Sequence, residues 1–101
     1  MAEVVWSEPA FEDLGEIYAY IARDSAKYAQ LTLLSLREAA GRLAHFPQAG
    51  HRIPELPGTT YREFIEGAYR IVYRIAPNDR VFIVAVVHGA RHMRRVLKGR
   101  G

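Results

Sequence analysis

The fold of this 101-residue chain is decided by the stretch Tyr69–Ile75, which reads YRIVYRI. Aromatic or aliphatic side chains alternate there with arginine or valine, which is the period of a β-strand. We therefore predict a strand over Tyr69–Ile75. One face of this strand is expected to be buried, and the other to present Arg70 and Arg74 to solvent.

Strands are also predicted on both sides of this stretch. Gly67-Ala68 joins it to a run over Tyr61–Glu66, and Pro77-Asn78-Asp79 joins it to a run over Val81–His88. Both connections have the length of hairpin loops. The run over Val81–His88 is apolar on both faces, which favours an interior strand with cover on each side. Together the three runs predict an antiparallel meander.

The first half of the chain predicts a short strand and two helices. Val4-Val5-Trp6 favours a strand, and Ser7 follows it as a helix N-cap. Apolar residues then recur at spacings of three and four, which predicts a helix over about 8–23 and, after a cap at Ser25, another over about 26–46. The predicted stripes contain Phe11, Leu14, Ile17, Tyr18 and Ile21 in the first helix, and Ala29, Leu33, Leu36, Ala40, Leu43 and Phe46 in the second.

These elements predict an α+β fold in the order β-α-α-β-β-β. A chain of 101 residues has the usual length of a single domain, so one domain is expected over residues 1–101. We expect an antiparallel helical hairpin packed on one face of the sheet. The short first strand is expected to lie beside Val81–His88, and Gln48–Thr60 is predicted to be a loop.

The composition excludes several classes of protein. The chain has no cysteine, which excludes a disulfide scaffold, a zinc ribbon, an iron–sulfur site and thiol catalysis. The histidines at 45, 51, 88 and 92 have no ligand spacing, so we expect no metal and no cofactor. The longest apolar run, Val81–Val87, is far shorter than the ~20 residues of a membrane span. The first residues lack the pattern of a secretory signal, so a cytoplasmic protein with no membrane partner is expected.

Charge is distributed unevenly along the chain. Residues 1–38 contain seven acids and three bases, whereas residues 39–101 contain four acids and eleven bases. The bases of the last eleven residues are Arg91, Arg94, Arg95, Lys98 and Arg100. This asymmetry favours an anionic partner at the carboxyl-terminal end. The simpler interpretation is a solvated basic tail.

Four segments in a fixed order are similar to those of a known family. They read FPQAGHR at 46–52, YREF at 61–64, GAYRIVYR at 67–74 and VVHGAR at 86–91. With the strand and helical hairpin before them, they resemble the ParE/RelE superfamily, whose members are the toxins of type II toxin–antitoxin pairs. The resemblance spans nearly the whole chain. It implies an α+β toxin bound in a hetero-oligomer by a cognate, ParD-like antitoxin encoded adjacently.

The two branches of this superfamily differ in target. The ending His88-Gly89-Ala90-Arg91 resembles the ParE branch, which implies inhibition of DNA gyrase without catalysis by the toxin. We therefore expect a non-enzymatic toxin that meets nucleic acid only through gyrase. The alternative is a RelE-like, ribosome-dependent endoribonuclease that cuts mRNA.

A ribonuclease of this kind needs groups that transfer protons and cations at the strained phosphate. The candidates for these roles are Arg62, Arg70, His88 and Arg91. RelE-like toxins resemble one another in having a tyrosine near the carboxyl end and lysines on the open sheet face. This chain has no tyrosine after Tyr73, and its only lysines are Lys27 and Lys98. These departures favour the gyrase hypothesis.

Two binding surfaces are predicted. The target-binding residues are Arg70, Arg74, His88, Arg91, Arg94 and Arg95. The antitoxin-binding residues are Tyr20, Leu31, Leu34, Arg70, Arg74 and Arg91. The helices carry more apolar surface than one sheet face can bury, which favours docking of a partner helix, and an acidic segment can pair with the arginines. The simpler interpretations are that the arginines are solvated strand residues and that His88 closes the last strand through the backbone.

Overall fold

A computed structural model describes residues 1–100 of the chain. Its elements are β1 Glu3–Trp6, α1 Glu8–Ala22, α2 Ala26–Arg42, β2 His51–Arg52, β3 Arg62–Glu66, β4 Tyr69–Ala76, β5 Arg80–His88 and α3 Met93–Leu97. The five strands form one sheet in the order β1-β5-β4-β3-β2. The predicted α+β class, the helical hairpin and the meander of β3, β4 and β5 are confirmed.

The sheet is mixed, which the predicted three-stranded antiparallel meander did not include. β1 lies beside β5, as expected, but runs parallel to it, with Val4 opposite Val81. The α1–α2 hairpin lies between these two strands in the chain, so β1 and β5 are joined by a long connection rather than by a hairpin turn. A further short strand, β2, pairs with β3 at the other edge within the segment predicted to be a loop.

Both faces of the sheet are covered, and each has its own core. On one face α1 and α2 bury Leu14 and Leu36 against Tyr73. On the other face α3 buries Met93 and Leu97 against strand residues. The remaining buried residues of this second core are Ile53, Val72, Val84, Ala85 and Val87. β5 is therefore an interior strand with cover on each side, as its apolar sequence predicts.

The helix N-caps are confirmed, whereas one helix end and two core assignments are wrong. The side chains of Ser7 and Ser25 accept hydrogen bonds from backbone amides three residues further on. α2 ends at Arg42 because the chain tightens into i→i−3 hydrogen bonds before Pro47. Phe46 is therefore 68% exposed rather than in the core. Phe11 is 67% exposed, because Ala10 and Asp13 take the inward positions of the first turns.

The carboxyl-terminal segment is folded, so its interpretation as a solvated basic tail is wrong over Met93–Leu97. The apolar residues 93, 96 and 97 have helical spacing, which was the available sequence signal. None of the described helices is both long and apolar enough to span a bilayer.

Candidate functional site

A cleft of about 760 Å³ lies between α1 and the segment that follows β5. It is lined by Asp13, Glu16, Ile17, Tyr20, Tyr69, Val86, Val87, His88, Arg91, Arg95, Val96 and Arg100. Three of the predicted target-binding residues, His88, Arg91 and Arg95, therefore share one cleft. Tyr20, predicted to bind antitoxin, lines the same cleft from α1.

The floor of the cleft is formed by the ends of β4 and β5. Tyr69 is paired with His88 across the two strands, and their rings meet edge to face with centroids 5.6 Å apart. Burial, followed by the nearby Tyr28 and Tyr20 hydroxyls, raises the pKa of Tyr69. The backbone amide of Ala90 donates to Nδ1 of His88 at 3.2 Å. This bond orients the exposed imidazole and agrees with a structural role at the end of β5.

The wall opposite α1 is cationic. α3 turns Met93 and Leu97 inward, and this leaves the basic side chains of the segment on the outside. We call the exposed set the α3 cationic surface; its members are Arg91, Arg94, Arg95 and Lys98. Residues 89–100 contain no acid, so this surface carries cations without a local carboxylate.

An ion pair fastens the end of the chain to α1. The Asp13 carboxylate accepts from both terminal nitrogens of Arg100, at 2.6 and 3.1 Å, and from the Val86 amide at 3.0 Å. The hydrogen bonds from Asp13 raise the pKa of the Arg100 guanidinium. This contact holds the two walls of the cleft together. Sequence reasoning missed it, although an aspartate beside Leu14 on an apolar stripe was the available signal.

Arg70 does not lie on the open surface with the other arginines. It is 9% exposed, so the expectation that it faces solvent is wrong. Its Nε donates to the buried Glu63, and Nη1 and Nη2 donate to the two oxygens of Glu55 at 2.8 and 2.7 Å. Hydrogen bonding to Glu55 is the main cause that raises the pKa of Arg70. Covered by α3 and the β2–β3 loop, that face of β4 is not solvated.

The other strand arginines also lie outside the cleft. Arg62 faces the α1–α2 side, and its Nη1 donates to the carbonyl oxygen of Gly50 at 2.6 Å. Arg74 lies on the opposite face, over the ring of Phe82 at 4.7 Å. Among the predicted ribonuclease residues, the cleft thus brings together His88 and Arg91 but neither Arg62 nor Arg70.

The predicted antitoxin-binding residues of the helices are exposed. Tyr20 is 71% exposed, Leu31 53% and Leu34 54%, and sequence reasoning omitted the neighbouring Tyr28, which is 63% exposed. We call these four residues the hairpin apolar patch. Tyr20 belongs both to this patch and to the cleft, so the two surfaces are continuous.

Residues 1–100 hold no group of three histidine or acidic side chains that could bind a metal ion. The chemistry available in the cleft is therefore that of arginine and tyrosine side chains and one histidine. These groups can bind a partner that supplies both carboxylates and apolar side chains.

Comparison with known proteins identifies the family. A family model described as ParE toxin of type II toxin-antitoxin system, parDE, matches residues 4–93. The chain is also similar to Toxin RelE2 of Caulobacter vibrioides, with 35% identity over 91 residues that cover 90% of this chain and 99% of that protein. The chain therefore belongs to the ParE toxin family, within the ParE/RelE superfamily of type II toxin–antitoxin systems.

Two solved structures share the fold. One is the chromosomal ParDE toxin–antitoxin system of Pseudomonas aeruginosa, with a TM-score of 0.71, 21% identity, and 87% of this chain and 96% of that chain covered. The other is the toxin–antitoxin complex RelBE2 of Mycobacterium tuberculosis, with a TM-score of 0.64, 24% identity, and coverage of 86% and 96%. Neighbours with both names share this architecture, so the fold leaves the cellular target open.

Proposed function

We propose that this toxin acts by binding DNA gyrase and that it does so without catalysing a reaction. The observation that carries the proposal is the α3 cationic surface, four exposed cations on a segment without an acid. Such a surface suits an anionic target, including a gyrase–DNA complex. The family model that matches the chain is that of a ParE toxin, which supports the same branch.

The arrangement of the ribonuclease candidates also favours a binding toxin. Cleavage of RNA requires proton-transfer groups and cations around one phosphate. Arg62 is held by the Gly50 carbonyl on the side of the sheet opposite Arg70, and Arg70 is paired with two carboxylates. His88 and Arg91 alone share the cleft.

The second candidate is a RelE-like, ribosome-dependent endoribonuclease. The name of the relative from Caulobacter vibrioides, Toxin RelE2, favours it. In that case His88 transfers protons, because histidine is the side chain whose ordinary pKa lies near neutrality, and Arg91 binds the phosphate from the same cleft.

We also propose that a ParD-like antitoxin neutralises the toxin by covering the hairpin apolar patch and the cleft. Exposed tyrosine and leucine side chains beside arginine are typical of protein interfaces. The titles of both structural neighbours describe toxin–antitoxin pairs, which supports a partner of this kind. A helix on the patch and an acidic segment at Arg91 and Arg95 would mask the residues proposed to bind the target.

Induced expression in bacteria distinguishes the two targets. We expect filamentation and an SOS response, with mRNA left intact. The double charge reversal Arg91→Glu/Arg95→Glu should remove toxicity, because both cations line the cleft, whereas Arg37→Glu on the exposed face of α2 should remain toxic. Early cuts in mRNA that disappear in His88→Ala would instead support the ribonuclease.

A further inference from the structure

The terminal nitrogens of Arg70 form a site on the α3 side of the sheet that is already filled by a carboxylate. Nη1 and Nη2 each donate to one oxygen of Glu55, in the parallel two-bond arrangement that a guanidinium also makes with phosphate. The Glu55 side chain is 41% exposed and belongs to the loop between β2 and β3. The occupant of the site is therefore a surface group.

Arg70 is fixed from behind by an independent contact. Its Nε donates to Glu63, whose side chain is only 4% exposed, and Glu63 also contacts Nε2 of His51 at 2.8 Å. The guanidinium therefore keeps a partner when Glu55 leaves. An arginine held in this way stays oriented with its two terminal nitrogens towards the loop, which is what binding of an anion requires.

Further cations approach the same carboxylate from the carboxyl-terminal segment. Arg94 donates from Nε to the backbone oxygen of Glu55 at 3.1 Å, and its side chain is otherwise exposed. The charge of His92 adds to the effect that lowers the pKa of Glu55. Three cationic groups, from β4, α3 and the residue before α3, thus converge on a single carboxylate.

We propose that Arg70, Arg94 and His92 form a phosphate-binding site and that Glu55 occupies it in the free protein as an internal substitute for phosphate. A phosphate group offers three acceptor oxygens and more negative charge than a carboxylate, so it matches three converging cations better than Glu55 alone does. The site lies on the face of the sheet opposite the α1–α2 hairpin. The inference requires neither RNA cleavage nor gyrase as the target.

Displacement, rather than protonation, is the way in which this site opens. The hydrogen bonds from Arg70 lower the pKa of Glu55 to about 2, so its carboxylate stays charged at neutral pH. A phosphate group must therefore compete with Glu55 for Arg70, and the loop must move aside. The site responds to phosphate concentration or to a bound nucleic acid strand.

The test removes the competing charge with Glu55→Gln. Inorganic phosphate is titrated into the folded protein while the side-chain Nε resonances of arginine are followed by NMR. We expect the Arg70 resonance to shift saturably in Glu55→Gln, with affinity about tenfold or more above that of the natural sequence. Glu66→Gln is the matched control, because it removes a carboxylate paired with Arg42 on the opposite face.

A second titration uses a short oligouridine to distinguish a nucleic acid backbone from free phosphate. Stronger binding of the oligonucleotide at the Arg70 resonance would assign the site to phosphodiesters, and equal or weaker binding would assign it to phosphate monoesters or free phosphate. Should Glu55→Gln not fold, Glu55→Ala vacates the same position. An Arg70 resonance that stays unmoved in the folded variant, or shifts equally in Glu66→Gln, overturns the proposal. Toxicity is not read in either titration, so failure of the proposed function leaves this test unaffected.

Discussion

At the scale of single residues, Tyr73 connects the strand that decides the fold to the loop that follows α2. Its hydroxyl donates to the Pro47 carbonyl at 2.6 Å and accepts from the Gly50 amide at 2.8 Å. Burial raises the pKa of this phenol. A Cβ at Gly50 would lie 2.6 Å from Tyr73 Oη and from the Glu63 carbonyl, so this position admits only glycine without a shift of the backbone.

The pairing of Glu55 with Arg70 predicts a dependence of stability on acid. Because the folded-state pKa of Glu55 is lowered from 4.5 to about 2, its contribution is present above pH 4.5 and is lost as the pH falls towards 2. The carboxyl is part-exposed, so solvent screening reduces this contribution to about 1 kcal/mol.

Urea unfolding measures this contribution as the difference in free energy of unfolding between the natural sequence and Glu55→Gln. We expect the difference at neutral pH to shrink steadily between pH 4.5 and pH 2. A difference that stays constant over that range would show that Glu55 does not act through its charge.

At the scale of elements, the sequence predicted most of the fold because local patterns determined it. The alternation over residues 69–75, the serine caps and the apolar run of β5 each fix an element through its neighbours in the chain. The sequence pattern did not reveal β2, a strand of two residues whose pairing with β3 is a tertiary contact. It also missed α3, whose five residues are too few to show a full helical period.

The candidate site was harder to predict, because its residues come from elements that are distant in the chain. His88, Arg91 and Arg95 follow one another, and their common cleft was anticipated by the basic ending. Arg70 was misplaced, because strand alternation gives the face of a residue but not what covers that face. Glu55, which pairs with Arg70, lies fifteen positions away in a loop, where no periodicity applies.

The clasp between α1 and the end of the chain is an element-scale contact that a single substitution can test. Asp13→Asn removes the charge that holds Arg100 and weakens the acceptor of the Val86 amide. We expect the free energy of unfolding to fall by about 2 kcal/mol, less than for a fully buried pair, because Arg100 is part-exposed. The Val86 amide should also exchange faster with deuterium.

The control for the clasp is Glu12→Gln on the exposed side of the same helix, which should change neither quantity beyond about 0.5 kcal/mol. Unaltered exchange at Val86 in Asp13→Asn would show that the carboxylate does not protect this edge of β5.

At the scale of the whole molecule, charge and apolar exposure are segregated. The acids are concentrated in the α1–α2 half, which also carries the hairpin apolar patch, whereas the α3 cationic surface lies at the other wall of the cleft. A toxin built in this way can present cations to its target while an antitoxin covers the same wall. Recognition and neutralisation then use one surface, which is the central claim of the proposed function.

Supercoiling of relaxed plasmid DNA by purified gyrase tests that claim most directly. We expect the purified toxin to inhibit supercoiling, Arg91→Glu/Arg95→Glu to inhibit at least about tenfold more weakly because two charge-assisted contacts are lost, and Arg37→Glu to inhibit like the natural sequence. Undiminished supercoiling at excess of the natural toxin, or equal inhibition by the cleft double variant, would contradict the account.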